Sequence, residues 1–367
     1  MKVVHVTSSL VRKAAGVREV VLGLARAQID CGMDVAVLGL DHPDWAMEMR
    51  DWDGIPTRLS SVLGPQRFGY APQMTSVLKE MTPDVVHLHG LWMHPGRSVL
   101  NWHQQTGRPY IVSTHGMLSE VALSYSRAKK KFLSLWFQDA VLRNAAALHA
   151  TNNNELAEIQ AQGLQRPICV VPNGISHIAR PDDIESSSRT ILSLGRIHRI
   201  KALHHLVLAW RELERDFPEW SVLIVGPDEG GEVDRLQTLI KEAGIKRVTI
   251  RKPVYGEEKT HIMANASLFA LPTLSENFAI TVAESLMLEV PVIASHGAPW
   301  KRLVDQGCGL WVPIGPSHLA DALRQMMLLS DEERRAMGAR GRAWMLREFS
   351  WSSVVARLRS CYASACS

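Results

Sequence analysis

The chain has 367 residues, of which 46% are hydrophobic and 21% are charged, and its formal net charge is +4. This length exceeds what one hydrophobic core usually organises, so it predicts two domains, in a globular protein rather than a disordered or fibrous one. The mild positive charge, without a basic stripe interleaved with aromatic residues, does not indicate nucleic-acid binding, and no apolar run reaches the roughly 18 residues of a membrane-spanning helix.

The N-terminal segment, MKVVHVTSSL, reads as a buried strand, because it lacks the long apolar stretch of a signal peptide. The five cysteines are scattered and have no CxxC spacing. Such cysteines are typical of reduced thiols rather than of a disulfide framework or a zinc site. A cytoplasmic protein is therefore expected.

Short runs rich in Val, Ile and Leu alternate with segments of helical periodicity along the whole chain. In the first half these runs are KVVHVTS, DVAVLGL, DVVHLHG, PYIVSTHG, ALHATN and ICVVPNG. In the second half they are TILSLGRI, SVLIVGP, VTIRKPV, LFALPT, PVIAS and GLWVPIG. Runs that are apolar throughout are typical of strands buried on both faces of a parallel sheet. The pattern predicts two doubly wound, Rossmann-like α/β domains.

The segment after the first strand shows the helical spacing i, i+3, i+4, i+7, i+8, carried by Val17, Val20, Val21, Leu24 and Ala25. Gly32 suits the C-terminal end of that helix. The polar stretch 180–189 has no apolar periodicity and is the expected linker. Ligands of open α/β sheets bind beyond the carboxyl ends of the strands, so two such domains are expected to face a central cleft.

A dinucleotide-dependent dehydrogenase is the first alternative. Its G-x-G-x-x-G fingerprint is missing, since only Ala15-Gly16 follows the first strand, and the spacing of Gly226, Gly230 and Gly231 does not match. Nicotinamide chemistry is therefore not favoured.

A histidine pair in HLHGLWMH is the second suggestive feature. His87 and His89 are two residues apart on one strand and share a face. Such a pair ligates a metal in amidohydrolase barrels, but that interpretation requires an eight-stranded barrel with further ligands at later strand ends. A core role for His87 and a place in the acceptor pocket for His89 are favoured, and a metal-dependent hydrolase stays as an alternative.

A basic segment precedes an apolar set in SYSRAKKKFLSLWFQDAVLRN. The basic residues are Arg127, Lys129, Lys130 and Lys131, and the apolar residues are Phe132, Leu135, Trp136 and Leu142. One interpretation is a helix packed by its apolar side with a solvated basic turn. The other is contact with an anionic membrane surface.

Two cations follow the first strand of the second half, in GRIHRIK. Arg196 comes directly after the strand, and Lys201 lies five residues later. A guanidinium and an ammonium at a strand end are suited to neutralise a diphosphate.

Two carboxylates, Glu276 and Glu284, lie between the apolar runs LFALPT and PVIAS. Glu276 is expected in a turn and Glu284 in the following helix, about 80° away around its axis. Between them, the backbone N–H groups of Asn277, Phe278 and Ala279 are expected at a helix N-terminus, which favours an anion. The arrangement suits a ligand with a phosphate in the middle and hydroxyls at both ends.

At this point the sequence resembles the retaining, nucleotide-sugar-dependent glycosyltransferases of family 4 (group 1), which have the GT-B fold. ENFAITVAE resembles the E-x7-E signature of that family, and GRIHRIK its G-R-x4-K diphosphate clamp. STHGML, VPNGI and EFSWSSVVARLRSCY resemble its strand-end histidine segment, its P-N-G turn and its last helix, which packs back on the first domain. The implied domains are 1–178 for the acceptor, 179–345 for the nucleotide sugar, and the helix 346–367.

The resemblance also implies residue roles. Glu276 holds the donor sugar, Glu284 the ribose, Arg196 and Lys201 the diphosphate, and His115 lies under the transferred sugar. The remaining implied donor contacts are Asn277, Phe278, Ala279, Gly16, Asn173 and Val254. The implied acceptor contacts are His89 and Ala15.

The sequence departs from the family pattern at a few positions. Ala15, Ala202 and Ala279 stand where glycine is common, and Lys252 stands where a glycine is usual beside the nucleobase segment. Each added methyl group puts the loop geometry in question, but not the charged residues.

The resemblance implies a metal-independent hexosyltransferase without a cofactor, whose co-substrate is a nucleotide sugar, UDP-linked rather than GDP-linked. Its product is expected to belong to a surface polysaccharide or lipopolysaccharide, and its location to be the cytoplasm or the inner membrane face. The alternatives are the metal-dependent hydrolase and a catalytically silent GT-B nucleotide-binding module.

Overall fold

The chain forms two compact units. In the computed structural model, residues 1–11, 16–124, 130–131, 133–181, 184 and 189–366 are described. The first unit comprises Met1–Ser176 together with Phe349–Ser367, and the second comprises His177–Glu348. The stretch 180–189, expected as a linker, falls within the second unit, and most of it lies outside the described residues.

The first unit contains a parallel sheet of seven strands. They are β1 (Lys2–Thr7), β2 (Asp34–Leu40), β3 (Thr57–Ser60), β4 (Val85–His89), β5 (Tyr110–Ser113), β6 (Ala147–Ala150) and β7 (Ile168–Val170). Their order is β3-β2-β1-β4-β5-β6-β7, so the winding reverses between β1 and β4. Six of these strands are predicted from the sequence, whereas β3 is not. It is a four-residue edge strand with an exposed arginine, and it lacks the apolar run of a central strand.

Helices cover both faces of this sheet. They are α1 (Gly16–Asp30), α2 (Trp45–Glu48), α3 (Met74–Met81), α4 (His94–Thr106), α5 (Glu120–Ser124), α6 (Asp139–Asn144) and α7 (Asn153–Ala161). Two short 3₁₀ helices (Met49–Trp52 and Gln66–Phe68) and a π-helical turn (Ser134–Gln138) complete this part. The helix predicted after the first strand is confirmed as α1, and Gly32 follows it with a positive φ of 74°.

The second unit contains a parallel sheet of six strands. They are β8 (Thr190–Leu194), β9 (Ser221–Val225), β10 (Val248–Arg251), β11 (Leu268–Leu271), β12 (Val292–Ser295) and β13 (Gly309–Val312). Their order is β10-β9-β8-β11-β12-β13, and the winding reverses between β8 and β11. All six are predicted from the sequence.

A 3₁₀ helix (Arg199–Lys201) follows β8, and α-helices flank the sheet. They are α8 (Leu203–Leu213), α9 (Glu232–Glu242), α10 (Gly256–Ala264), α11 (Ile280–Met287), α12 (Arg302–Asp305), α13 (Pro316–Leu328) and α14 (Asp331–Glu348). The core between sheet and helices is apolar, with Trp210 and Phe269 fully buried.

The last helix, α15 (Trp351–Cys366), belongs to the first unit, as the final-helix motif predicts. It packs with α1 against one face of the first sheet, where Val354, Leu358 and Tyr362 are buried. The Trp351 ring occupies the space that a Cβ on Gly23 or Gly174 would need, at 2.3 Å from either position. The glycine of the VPNGI turn therefore admits this aromatic ring.

Both sheets are open, so the eight-stranded barrel required by the amidohydrolase alternative is not the architecture of the described residues. None of their helices combines the length and the apolarity needed to cross a membrane.

Candidate functional site

The residues predicted to hold a donor follow adjacent strands of the second unit. Arg196 and Lys201 follow β8, and Glu276 follows β11, which pairs with β8 in parallel. The carboxyl ends of parallel strands meet at one edge of a sheet, and the winding reverses between these two strands. This is the position at which open α/β sheets bind ligands.

The structure brings Lys201 and Glu276 together as an ion pair, and both side chains are largely shielded from solvent. Hydrogen bonds join the loops that carry them. Leu274 donates its backbone N–H to the Ile200 carbonyl at 2.7 Å, and the Thr273 hydroxyl donates to the same oxygen at 3.0 Å. The two charged residues are therefore positioned by a shared backbone scaffold.

Gly297 contacts the turn that carries Glu276. Its carbonyl accepts the Glu276 N–H at 2.8 Å, and a Cβ on Gly297 would lie 2.3 Å from the Thr273 carbonyl oxygen. Real Cβ atoms do not approach that closely, so only glycine permits this contact between the two loops.

Two alanines adopt backbone conformations that favour glycine. Ala202 has a φ of 46° and Ala279 a φ of 61°, both in the left-handed region. An L-residue costs about 1–2 kcal/mol there. The loops keep the conformation for which family members commonly use glycine, despite the added methyl groups.

Ala279 is the N-cap of α11, which begins at Ile280. Asn277, Phe278 and Ala279 therefore form the turn before the helix. Trp300 donates its indole N–H to the Phe278 carbonyl at 2.5 Å and fixes that turn.

Glu284 lies on α11 and pairs with a lysine that the sequence did not single out. Nζ of Lys259, on α10, lies 2.6 Å from Oε1 of Glu284, and Oε2 of Glu284 is buried without a hydrogen-bond partner. A buried carboxylate oxygen without a donor is rare and is suited to accept a ligand hydroxyl. Sequence spacing gives no signal for Lys259, because the pair joins two helices.

Arg196 is half-exposed and donates to Glu229 at 2.7 Å. This exposed pair contributes little to stability, so Arg196 is readily available to an anion. Val254 is half-buried and lies between β10 and α10. Lys252 is exposed in the same segment.

In the first unit, His115 follows β5 with a φ of 49°, an unfavourable conformation for a non-glycine residue. Both of its chain neighbours are held by one buried carboxylate. Oε1 of Glu155 accepts the Thr114 hydroxyl at 2.5 Å and the Gly116 N–H at 2.6 Å. Oε2 accepts the N–H and the hydroxyl of Thr151, each at 2.7 Å.

Glu155 thus fixes the turn that presents His115. It is 1% exposed on α7, and the sequence interpretation missed it. Its partners Thr114 and Gly116 lie 41 and 39 residues earlier in the chain, so the sequence gives no local signature of these contacts. Burial lowers the pKa of His115 to about 4, although the Glu155 charge opposes this. His115 is therefore neutral at pH 7.

His87 and His89 are both buried on β4, at 0% and 2% exposure. His87 bonds Tyr362 and Ser113, as befits the expected core histidine. Both ring nitrogens of His89 are engaged, by His5 and His115, and neither is left for an acceptor. The role of His89 as an acceptor contact stays a prediction, although no ring nitrogen of this side chain is free to make it.

Ring nitrogens of His5, His87 and His89 lie within 4.8 Å of one another, close enough to consider a metal. Every one of these nitrogens already has a hydrogen-bond partner in the structure. Metal binding would require several of these buried bonds to break.

The remaining predicted contacts are placed as follows. Gly16 is the exposed first residue of α1, and Ala15 lies outside the described residues. Asn173 follows β7, is 6% exposed, and its Oδ1 is buried without a partner.

The basic segment is described only in part, because Arg127, Lys129 and Phe132 lie outside the described residues. Lys130 donates to the Ala122 carbonyl and Lys131 is exposed. Leu142 is buried as expected, but Leu135 and Trp136 are 79% and 61% exposed. The π-helical turn that carries both shifts them away from the packed side predicted from a regular 3.6-residue period.

Two families match the chain in succession. Residues 15–174 match the family described as "Glycosyl transferase 4-like domain", and residues 176–344 match "Glycosyl transferases group 1".

Several curated relatives align along this chain. A Xanthomonas oryzae pv. oryzae protein, GDP-mannose:cellobiosyl-diphosphopolyprenol alpha-mannosyltransferase, is 28% identical, with 97% of this chain and 95% of the relative covered. A Komagataeibacter xylinus protein of the same name is 26% identical, with coverages of 96% and 91%. A D-inositol 3-phosphate glycosyltransferase of Corynebacterium urealyticum is 32% identical over 49% of this chain and 44% of its own.

Solved structures share the fold. Anabaena HepE in complex with UDP and glucose superposes with a TM-score of 0.81 at 17% identity, covering 99% of this chain and 100% of that one. Sucrose-phosphate synthase of Thermosynechococcus elongatus gives 0.80 at 19% identity, with coverages of 99% and 98%. At such identities the likeness concerns the fold alone.

Proposed function

The chain belongs to the group 1 glycosyltransferases of family 4, which have the GT-B fold, and from this premise we propose that it transfers a hexose from a nucleoside diphosphate sugar to a saccharide acceptor with retention of the anomeric configuration. The second unit binds the donor, and the first unit supplies His115 and the acceptor contacts.

One observation carries the donor assignment. Around the switch point between β8 and β11, the second unit gathers the Lys201–Glu276 pair, Arg196, and a Glu284 carboxylate with one buried oxygen lacking a partner. The cations suit a diphosphate, and the carboxylates suit the hydroxyl groups of a nucleotide sugar.

Donor binding then exchanges partners at the ion pairs. The diphosphate takes Lys201 from Glu276 and Arg196 from Glu229, and the freed Glu276 carboxylate accepts hydroxyls of the donor sugar. Oε2 of Glu284 accepts a ribose hydroxyl, while Lys259 keeps Oε1. The freed Glu276 carboxylate keeps its charge and is stabilised by hydrogen bonds from the sugar hydroxyls.

Transfer needs no nucleophile from the protein. The bond from the sugar carbon to the diphosphate breaks, Arg196 and Lys201 stabilise the departing charge, and a diphosphate oxygen accepts the proton of the acceptor hydroxyl as the new bond forms on the same face. The protein contributes position and electrostatic stabilisation. His115 is neutral, so its ring can accept a hydrogen bond from a sugar hydroxyl.

Two nucleotides, UDP and GDP, are candidates for the donor. The sequence favours a UDP-sugar, whereas the relatives aligned over nearly their full length are named for GDP-mannose. We propose GDP-mannose, because the alignment with these relatives spans both units and nearly their full length.

The same names support a lipid-linked saccharide diphosphate as the acceptor, and hence a role in surface polysaccharide synthesis. The exposed Leu135 and Trp136 next to Lys131 support attachment to an anionic membrane, where such a lipid resides. Aromatic and basic side chains together favour the membrane interface.

Thermal denaturation with GDP, UDP, GDP-mannose and UDP-glucose tests the donor, because a ligand that binds the folded state raises Tm by mass action. GDP and GDP-mannose are expected to raise Tm most. Transfer from GDP-mannose to a cellobiosyl diphosphate lipid is expected to give an α-linked product by NMR and to persist in EDTA. Stabilisation by no nucleotide, or an inverted product, would refute the proposal.

A further inference from the structure

Eight buried or half-buried side chains in the first unit form one continuous line of hydrogen bonds, which we call the histidine chain. Its members, in order, are His115, His89, His5, Gln28, Tyr362, His87, Ser113 and His149, and it ends at the carbonyl of Val171. The seven after His115 are at most 3% exposed. It crosses four strands of the sheet and includes one residue from each of α1 and α15.

The Val171 end sets the direction of donation. A carbonyl only accepts, so Nε2 of His149 carries the proton and donates at 2.8 Å. In a neutral ring Nδ1 of His149 then accepts, and the Ser113 hydroxyl donates to it at 2.6 Å. Ser113 in turn accepts from Nε2 of His87 at 2.7 Å. His87 is left with Nδ1 as an acceptor.

The same logic continues through the last helix. Tyr362 donates its hydroxyl proton to Nδ1 of His87 at 2.8 Å and accepts from the Gln28 amide N–H at 3.1 Å. The Gln28 amide oxygen therefore faces His5 and accepts from its Nε2 at 2.6 Å. The orientation of the Gln28 amide thus follows from the direction of donation that the Val171 carbonyl sets.

The final steps reach the site. Nδ1 of His5 accepts from Nε2 of His89 at 2.9 Å, and Nδ1 of His89 accepts from Nε2 of His115 at 3.0 Å. No described residue donates a hydrogen bond to Nδ1 of His115 in the structure. Every member thus has one allowed role, provided that the rings are neutral.

The buried surroundings keep the histidine rings neutral. Burial lowers the pKa of His5 to about 4, and burial together with the neighbouring histidines lowers the pKa of His87 and His89 well below the usual range. Burial also lowers the pKa of His149 and raises that of Tyr362, so Tyr362 keeps its proton.

We propose that the histidine chain holds His115 in the Nε2–H tautomer, with the Nδ1 lone pair free for the substrate, and that Tyr362 is a positioning residue for transfer. The role in transfer rests on the proposed function, whereas the tautomer does not. Loss of the Tyr362 hydroxyl breaks the histidine chain between Gln28 and His87. Gln28 is then no longer connected to the Val171 carbonyl. The Gln28 amide can then turn over, which reverses donation along His5, His89 and His115.

A metal among His5, His87 and His89 is the competing arrangement. It would use lone pairs that the histidine chain already occupies, and it would remove the link between Tyr362 and His115. The two arrangements are therefore mutually exclusive and distinguishable.

The test is long-range ¹H–¹⁵N NMR of the full-length protein with ¹⁵N-labelled histidine at pH 7, with His115 assigned by the signal lost in His115→Asn. Wild type is expected to show a neutral His115 with its proton on Nε2. Tyr362→Phe is expected to give a mixture of His115 tautomers. The matched control is Tyr110→Phe, which removes an equally buried hydroxyl, donating to the Val141 carbonyl, and should leave His115 unchanged.

Kinetics complete the test. Tyr362→Phe is expected to lower kcat on the order of tenfold relative to Tyr110→Phe, with an unchanged KM for the donor, since misplacement of one group affects the reacting geometry rather than donor binding. A His115 proton on Nδ1 in wild type, an unchanged tautomer in Tyr362→Phe, or stoichiometric bound zinc would overturn the tautomer assignment. An altered tautomer with kcat equal to the control would overturn the positioning role alone. Failure of the donor assay in wild type would instead refute the proposed function.

Discussion

Lys259 and Glu284 form a pair between α10 and α11 in which only one carboxylate oxygen is used. Nζ of Lys259 lies 2.6 Å from Oε1, while Oε2 is buried and has no partner. The lysine fixes the orientation of the carboxylate and compensates its charge, and the second oxygen stays available. The pair is thus arranged to receive a hydroxyl group without a prior rearrangement.

Lys259→Met should weaken binding of the donor nucleotide roughly tenfold, since a charge-assisted hydrogen bond that orients Glu284 is lost. Calorimetric titration with GDP measures the change. Lys241→Met, an exposed lysine on the neighbouring helix α9, is the matched control and should bind as wild type does. Equal affinities of the two variants would show that Glu284 needs no orientation by Lys259.

Glu276→Gln should reduce kcat by about 10²-fold or more, because the amide cannot replace the charged acceptor of the sugar hydroxyls. The nucleoside diphosphate should still bind, since Lys201 remains available to it. Steady-state kinetics and GDP titration separate the two effects. A variant that kept most of its turnover would remove Glu276 from the proposed site.

Glu155→Gln should destabilise the first unit by about 1–3 kcal/mol, because the amide NH₂ of glutamine would face N–H and O–H groups that now donate hydrogen bonds to the carboxylate. It should also lower kcat, as the His115 turn loses its support. Urea denaturation and kinetics measure both effects. Glu158→Gln on the same helix serves as the comparison, and a similar stability of the two variants would contradict the supporting role.

Acid should destabilise the protein between about pH 6.5 and pH 4. The pKa of His5 is lowered to about 4, and those of His87, His89, His115 and His149 are lowered too, so the unfolded chain binds more protons in this window. The stabilisation is complete above the unfolded pKa of about 6.5 and is lost as the pH falls towards the folded pKa values.

One group opposes this trend. Burial and the Glu155 charge raise the pKa of Glu158 to about 7, so this carboxyl binds its proton more readily in the folded state. Its contribution to the free energy of unfolding opposes that of about one of the five histidines. Thermal denaturation from pH 7 to pH 5 should therefore still show a falling Tm, and a constant Tm across this range would contradict the buried, neutral state of the histidines.

Replacement of Leu135 and Trp136 with serine should release the protein from vesicles of anionic lipid, since both apolar side chains are largely exposed. Binding of wild type should weaken with salt, because each nearby lysine contributes about 1 kcal/mol of electrostatic attraction. Co-sedimentation measures this, and the Tm of the variant controls for folding. Wild type that stays in the supernatant at low salt would rule out attachment through this surface.

The fold follows from the sequence nearly in full, because strands buried on both faces carry an apolar run that is readable without the structure. The edge strand β3 escapes this criterion, since one side of it faces solvent. Trp136 illustrates a second limit, because a π-helical turn changes the period on which burial was predicted.

The proximity of Lys201 and Glu276 was predictable because both residues follow adjacent strands, whereas the donor roles of these residues and of Arg196 stay predictions. Lys259 and Glu155 were missed because each acts across two elements that are distant in sequence. A signal did exist for His5. It pairs in register with His87 on the adjacent strand, and equal parity on neighbouring parallel strands places both side chains on one face.

The membership of the last helix in the first unit has a consequence for how the protein is made. The second unit is one continuous segment, His177–Glu348, and all of its strands have emerged once that segment is synthesised. The first unit is started earlier, yet Trp351 and Tyr362 reach it only after the second unit has been completed. During translation, therefore, the histidines of β1 and β4 lack their Tyr362 partner until the last helix is synthesised. The first unit begins to form first and is completed last.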